Sequence, residues 1–153
     1  MEFSMNEIAV IPARCGNKFT PLKKYKPLVK NKVIAMVPVR NGSNRVPHKN
    51  TRPFADLSLL QLKLKLLKKI VGITKIVVST DCSISADIAC KNGVEVQWRN
   101  KYYAGSEITN DLHWFHIAET TPGDIVFLAQ VTSPLLKVSS MQTALNSFLS
   151  SDK

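Results

Sequence analysis

An apolar run breaks into a basic, glycine-containing loop at Ile34-Ala-Met-Val-Pro-Val-Arg40-Asn-Gly42-Ser43-Asn-Arg45-Val-Pro47-His-Lys49-Asn50. These residue types suit phosphate chemistry. Gly42 permits a tight turn with close backbone approach, and the loop amides can be aimed at an oxyanion. Arg40, Arg45 and Lys49 bring fixed positive charge to the same short stretch. The expected ligand is a phosphorylated anion. A second copy of the pattern lies 26 residues earlier, where Ile8, Ala9, Pro12, Arg14, Gly16, Pro21, Lys23 and Pro27 match Ile34, Ala35, Pro38, Arg40, Gly42, Pro47, Lys49 and Pro53. The first copy reaches the next strand without room for a crossover helix. The second leads straight into a helix-forming segment and so opens a complete βαβ unit. The Arg40 loop is therefore the expected site, and residues 1–32 read as a duplicated accessory strand-loop segment ahead of an α/β domain over 33–153.

The elements that must hold this loop follow from hydrophobic period. Leu57 to Val71 reads as a helix, with Leu59, Leu60, Leu66, Leu67 and Ile70 on one face and Gly72 as its stop. Lys75-Ile-Val-Val-Ser79 has the β-rich composition of a buried parallel strand, with Thr80-Asp81 at its carboxyl end. Ser83 is positioned to cap a helix carrying Ile84, Ile88 and Ala89, which Gly93 ends. Val94 to Trp98 supplies another strand, a loop follows from Arg99 to Ser106, and Thr109 caps a helix through Ala118. After the Pro122-Gly123-Asp124 turn, Ile125 to Ala129 forms a further buried strand. Ser139 or Ser140 caps a last helix whose Met141, Ala144, Leu145, Phe148 and Leu149 form a core-packing stripe. Strands alternating with helices imply right-handed crossovers and a mainly parallel sheet between helices. In such folds ligands gather at the carboxyl ends of strands, here Arg40 to Asn50, Ser79-Thr80-Asp81, Arg99 and Gln130.

Composition narrows the class. The chain has 153 residues, 44% of them hydrophobic, enough for one domain with a real core. Its three cysteines, Cys15, Cys82 and Cys90, form no Cys-x-x-Cys pair, which argues against a disulfide framework and a zinc knuckle and for a reducing, cytoplasmic setting. No stretch approaches the ~18 apolar residues of a membrane span, and the start lacks the order of a signal peptide. Of the formal net charge of +10, +9 falls within residues 1–53, around the two loops. Such a field attracts polyanions. Nucleic acid is the disfavoured one, because little aromatic interleaving accompanies the charge and no reader motif is present.

From about Val33 onward the chain resembles the acylneuraminate cytidylyltransferases, or CMP-sialic acid synthetases. That family begins with a strand and an Arg-x-Gly-Ser-Lys-x-x-Pro-x-Lys-Asn loop, and here the loop runs from Arg40 through Gly42-Ser43, Pro47 and Lys49 to Asn50. Also similar are Val78-Ser79-Thr80-Asp81, Val94-Glu95-Val96 leading to Arg99, and Gln130-Val-Thr132-Ser133-Pro134-Leu135. The resemblance implies a three-layer, Rossmann-like α/β fold of the nucleotide-diphospho-sugar transferase type, with 33–153 as its nucleotide-binding part. It implies transfer of CMP from CTP to an acidic nonulosonic sugar with release of pyrophosphate, aided by Mg²⁺. Arg40 and Lys49 would act on the phosphates as catalytic groups. Gly42, Ser43, Asn50, Ser79, Arg99 and Asn110 would bind the nucleotide beside them, and Gln130 would face the sugar. Asn44 stands where the family has Lys, with Arg45 beside it to supply the charge. Family members continue further, with a dimerisation region and late metal-binding aspartates. The expectation is therefore an incomplete C-terminal part, a homodimer where that region is present, and no metal ligand assigned here. The rival readings are a non-catalytic nucleotide-binding remnant and a basic nucleic-acid-binding domain.

Blander readings stand beside several residues. Asp81 is either a metal or ribose contact or a helix cap. His113 and His116 have a zinc-compatible spacing, but without a third ligand they read as packed or solvated. Cys82 reads as a buried structural thiol. Tyr102 and Tyr103 either shape the sugar pocket or close the loop, and Lys63, Lys65, Lys68 and Lys69 read as a solvated helix face.

Overall fold

A computed structural model describes residues 32–42, 46–105 and 107–151. The Arg14 loop, Ser43 and Arg45 lie outside the described residues. Four parallel strands form the sheet: β1 (Val33–Val39), β4 (Lys75–Thr80), β5 (Glu95–Trp98) and β6 (Ile125–Leu128), in the order β5-β4-β1-β6. The basic loop leaves one of its two central strands. A short antiparallel pair, β2 (Pro53–Phe54) and β3 (Leu57–Ser58), intervenes before helix α1 (Leu59–Leu67). Further helices are α2 (Ser83–Lys91), α3 (Lys101–Ala104), α4 (Asn110–Thr120) and α5 (Val138–Ser150).

The run Val33 to Val37 is wholly buried because both faces of β1 are covered. Val33, Ala35, Val37 and Val39 face one cluster with Leu60, Leu64 and Leu67 of α1, Ala89 of α2 and Met141 and Leu145 of α5. Ile34 and Met36 face the other cluster with Ile117, against which Trp114 of α4 packs. The alternation of Cβ directions along a strand sorts one apolar run into two cores.

Five sequence expectations change. The helix expected over 57–71 is shorter, because Leu57-Ser58 pairs with Pro53-Phe54 and Ser58 becomes the N-cap. Its hydroxyl accepts from the Gln61 amide at 3.2 Å, while Gln61 Oε1 accepts from the Ser58 amide at 2.8 Å. Cys82 rather than Ser83 occupies the N-cap of α2, with no side-chain cap bond, and Lys137 rather than Ser139 or Ser140 precedes α5. The Arg99–Ser106 loop contains the short helix α3, whose N-cap Asn100 accepts from the Tyr102 amide. Lys63 belongs to the core-facing side of α1 at 1% exposure, whereas Lys65, Lys68 and Lys69 are exposed as expected. The Thr109 cap of α4 is present, its hydroxyl accepting from the Leu112 amide.

Gly123 sits at the closest approach in the sheet's connections. A Cβ placed there lies 2.5 Å from Ile34 Cγ1 and 3.0 Å from the Lys32 carbonyl oxygen, which accepts from the Asp124 amide at 3.0 Å. Ile34 is fully buried and has nowhere to move. Gly123→Ala is therefore expected to destabilise the fold by about 1–3 kcal/mol, read as a lower midpoint in urea unfolding; an unchanged midpoint would show that the turn yields freely.

Candidate functional site

The carboxyl ends of β1, β5 and β6 open onto a cavity of about 390 Å³. Arg40, Lys49 and Asn50 reach it from the loop after β1, Arg99 from the end of β5, Asn110 and His113 from α4, and Gln130 and Thr132 from the loop after β6. Six of the sequence-derived site residues, Arg40, Lys49, Asn50, Arg99, Asn110 and Gln130, are thereby brought to one surface. Gly42 lies beside it, in a small adjoining pocket that also includes Arg40, Lys49 and Asn50. Its φ of +80° is the left-handed conformation that most side chains disfavour and glycine adopts freely. Ser43 falls outside the described residues.

Ser79 has a different place from the one expected. Its side chain is buried and does not line the cavity; its backbone carbonyl accepts from Arg99 Nη2 at 3.0 Å. Asp81 neither caps α2 nor points into the cavity. Its Oδ1 accepts from the Asn41 amide at 2.6 Å, tying the loop after β1 to the end of β4. That bond fixes where the basic loop begins. Cys82 is buried, as expected of a structural thiol, and Cys90 is exposed.

Arg99 is the most constrained charge in the site. At 6% exposure it has no carboxylate in ion-pair contact among the described residues, and its Nε is buried with no hydrogen-bond partner. Burial pushes its pKa down, the more distant Asp81 opposes that, and Arg40 adds to it. A buried guanidinium left this way is costly unless an anion completes it. Asn50 Oδ1, also on the cavity wall, is a second buried polar atom without a partner.

Around His113 and His116, as elsewhere among the described residues, no group of three potential metal ligands occurs. Arg99 Nη1 instead lies 3.3 Å from His113 Nδ1, a contact that needs a neutral imidazole as acceptor. His116 stacks on Tyr103 with ring centroids 3.8 Å apart and planes 2° from parallel. Tyr103 lines the cavity, while Tyr102 is 62% exposed. His113, Trp114 and Ile108 are cavity residues the sequence reading did not assign to the site. His113 and Trp114 lie on α4 and Ile108 in the segment just before it, a placement against the strand ends that linear spacing does not reveal.

Both imidazoles are held below the ordinary histidine pKa, His113 by burial, then by Arg99, and His116 by burial, then by Arg99. The folded state therefore disfavours their protonation, and the unfolded chain takes up more protons just below pH ~6.5. The associated stability is present above that value and lost as pH falls through the folded-state pKa. Urea unfolding midpoints are expected to drop between roughly pH 7 and pH 5, and His113→Gln to flatten that slope. An identical slope in the variant would place the linkage elsewhere.

Among the described residues no acidic side chain lines the cavity, whereas two arginines and a lysine do. The wall accordingly suits an anion with several phosphate oxygens. It offers amide, hydroxyl and imidazole groups but no carboxylate, so the described residues do not fit a protein-held Mg²⁺ and no step is assigned to one.

Comparison with known proteins agrees with this architecture. The cytidylyltransferase family model matches residues 34–153. The CMP-N,N'-diacetyllegionaminic acid synthase of Legionella pneumophila is 30% identical over 119 residues, covering 74% of this chain and 51% of that protein. A cytidylyltransferase structure from Leptospira borgpetersenii matches with 29% identity and a TM-score of 0.60, covering 78% of this chain and 49% of that one. The structure of a CMP:2-keto-3-deoxy-manno-octonic acid synthetase complexed with CTP has a TM-score of 0.66 at 17% identity, covering 76% and 47%, and speaks for the fold alone. The chain thus spans about half the length of the relatives it matches. Among the described residues no helix is long and apolar enough to cross a membrane.

Proposed function

The chain belongs to the cytidylyltransferase family, and from that premise we propose that its cavity binds CTP and supports CMP transfer to an acidic sugar of the acylneuraminate, nonulosonic type. The observation that carries this reading is the convergence of Arg40, Lys49 and Arg99 on one cavity with no opposing carboxylate among the described residues. CTP brings the matching charge. The similarity to a synthase of a CMP-linked diacetyllegionaminic acid supports an acidic sugar as the second substrate.

In this reading a hydroxyl oxygen of the sugar attacks the α-phosphorus in line. The new P–O bond forms as the bond to the β-phosphate oxygen breaks, the hydroxyl proton passes to solvent, and pyrophosphate leaves. Negative charge grows on the departing oxygens, and Arg40 and Lys49 are placed at the cavity before it develops. Cationic groups fixed in advance need no reorganisation during the reaction, which makes them effective there. Gln130 and Thr132, on the wall formed by the loop after β6, are the groups assigned to the sugar's polar substituents.

Calorimetric titration with CTP, followed by a pyrophosphate-release assay with CTP and a panel of nonulosonic acids, tests both halves. Binding with release supports the full reading, and binding without release limits the chain to holding nucleotide. RNA or DNA affinity that falls steeply with salt and is not displaced by CTP would replace the reading with the nucleic-acid one. A cytoplasmic location is consistent with these substrates and rests on the cysteine usage alone.

A further inference from the structure

Lys63 lies on the buried face of α1, outside the cavity, and the reaction proposed above makes no direct use of it. Its Nζ donates to the Ser133 carbonyl at 3.0 Å, across seventy residues of sequence. Almost one turn earlier on the same helix, the Leu60 amide donates to the Asn50 carbonyl at 3.0 Å. A single stretch of α1 therefore grips two separate segments of the cavity wall, the basic loop through Asn50 and the loop after β6 through Ser133. Asn50 and Lys49 line the cavity from the first, Gln130, Val131 and Thr132 from the second.

The bond is an expensive one to keep. Lys63 is 1% exposed, no ion-pair partner accompanies it among the described residues, and burial pushes its pKa down. Methionine of similar length would fill the same space without taking an amine out of water. The polar head is accounted for by what it holds. Apart from the Lys63 bond, the loop's hydrogen bonds among the described residues are local: Thr132 Oγ1 donates to Gln130 Oε1 at 3.5 Å and the Leu136 amide donates to the Ser133 carbonyl at 3.4 Å. Buried Val131 anchors one point, and among the described residues Lys63 supplies the one hydrogen bond that reaches this loop from another element.

We propose that Lys63 is a positioning residue, pinning the 130–135 loop to the turn of α1 that also holds Asn50 and so setting the spacing between the two walls of the cavity. Which wall takes the nucleotide and which the sugar rests on the function proposed above; the pinning itself does not. Backbone ¹⁵N relaxation on the ligand-free chain, wild type against Lys63→Met, separates the two. Order parameters at Val131, Thr132 and Ser133 are expected to fall from about 0.85 to below about 0.6, with the urea midpoint unchanged or higher. Unchanged order parameters overturn the proposal, as does a midpoint that falls together with order across the whole domain. If the wild-type chain binds no CTP, the functional reading fails while this measurement still decides the role of Lys63. Where the wild type turns over, Lys63→Met is expected to raise the KM for the sugar acid at least tenfold and leave the CTP dissociation constant within twofold; equal effects on both overturn the proposal. Should Lys63→Met not fold, the wild type decides: slowly exchanging Nζ protons coupled to the Ser133 carbonyl carbon are expected, and rapid exchange with water overturns it.

Discussion

Replacing Arg40 and Lys49 together with alanine is expected to weaken CTP binding by roughly 10²–10⁴-fold, since each charge-assisted contact contributes about 1.5–3 kcal/mol and 1.4 kcal/mol is a factor of ten. Both side chains line the cavity, Arg40 exposed and Lys49 half-buried, and neither contributes to the two hydrophobic clusters. Binding should therefore collapse while the thermal midpoint stays close to that of the wild type. Isothermal titration calorimetry at fixed ionic strength reads the first, and circular dichroism melting the second. A loss smaller than about fivefold would remove these residues from the phosphate site. The measurement should be repeated across salt concentrations, because exposed charges are screened far more than the buried Arg99.

Arg99→Leu is expected to separate stability from binding in the opposite direction. The wild-type guanidinium is buried with one nitrogen unpartnered and no ion-paired carboxylate among the described residues, so an apolar replacement removes a desolvation cost. Against this stands the loss of its bond to the Ser79 carbonyl. The net expectation is a urea midpoint equal to or above that of the wild type, with CTP affinity reduced on the order of 10²–10³-fold. Arg99→Lys should not rescue binding, because a single ammonium cannot hold Ser79, lie against His113 and present a third donor in the fixed geometry of the guanidinium fork. Retained CTP affinity in Arg99→Leu would show that the buried charge is structural, and a large fall in the midpoint would show that its existing bonds outweigh its burial cost.

The two variants differ because the site holds two kinds of cation. Arg40 and Lys49 sit on a loop that solvent reaches, and their charge is available to an incoming anion at little cost to the fold. Arg99 is held between the end of β4 and α4, where its donors are directed before any ligand arrives. Preorganisation of that kind is what favours a phosphate over water.

Much of this was legible in residue order because it depends on local rules. Glycine at Gly42 announces a backbone conformation that other residues avoid, and the structure places it at φ +80°. Apolar runs bounded by turn residues mark the buried strands, since a strand covered on both faces needs no polar positions. The alternation of those strands with helices implies a parallel sheet, and a parallel sheet gathers its loops at one edge. Arg40, Lys49, Asn50, Arg99 and Gln130 were expected together on that reasoning, Asn110 only from the family resemblance, and the fold brings all six to one cavity.

What residue order left open depends on which surfaces meet. Lys63 has the spacing and composition of a solvated lysine, and only the packing of α1 beneath the loop after β6 turns it inward to Ser133. Ser79 has the position of a pocket residue, but its side chain is buried and its carbonyl, not its hydroxyl, meets Arg99. His113 and His116 look alike on a helical wheel, yet the first meets Arg99 and the second stacks on Tyr103. The sequence by itself determined the strand-loop unit, its charge and the edge at which it opens, because period, turn chemistry and net charge act over a few neighbouring residues. Tertiary structure alone decided which polar groups became buried, and hence which must find partners across the chain: desolvation is set by what packs on top of a side chain, and that information lies tens of residues away.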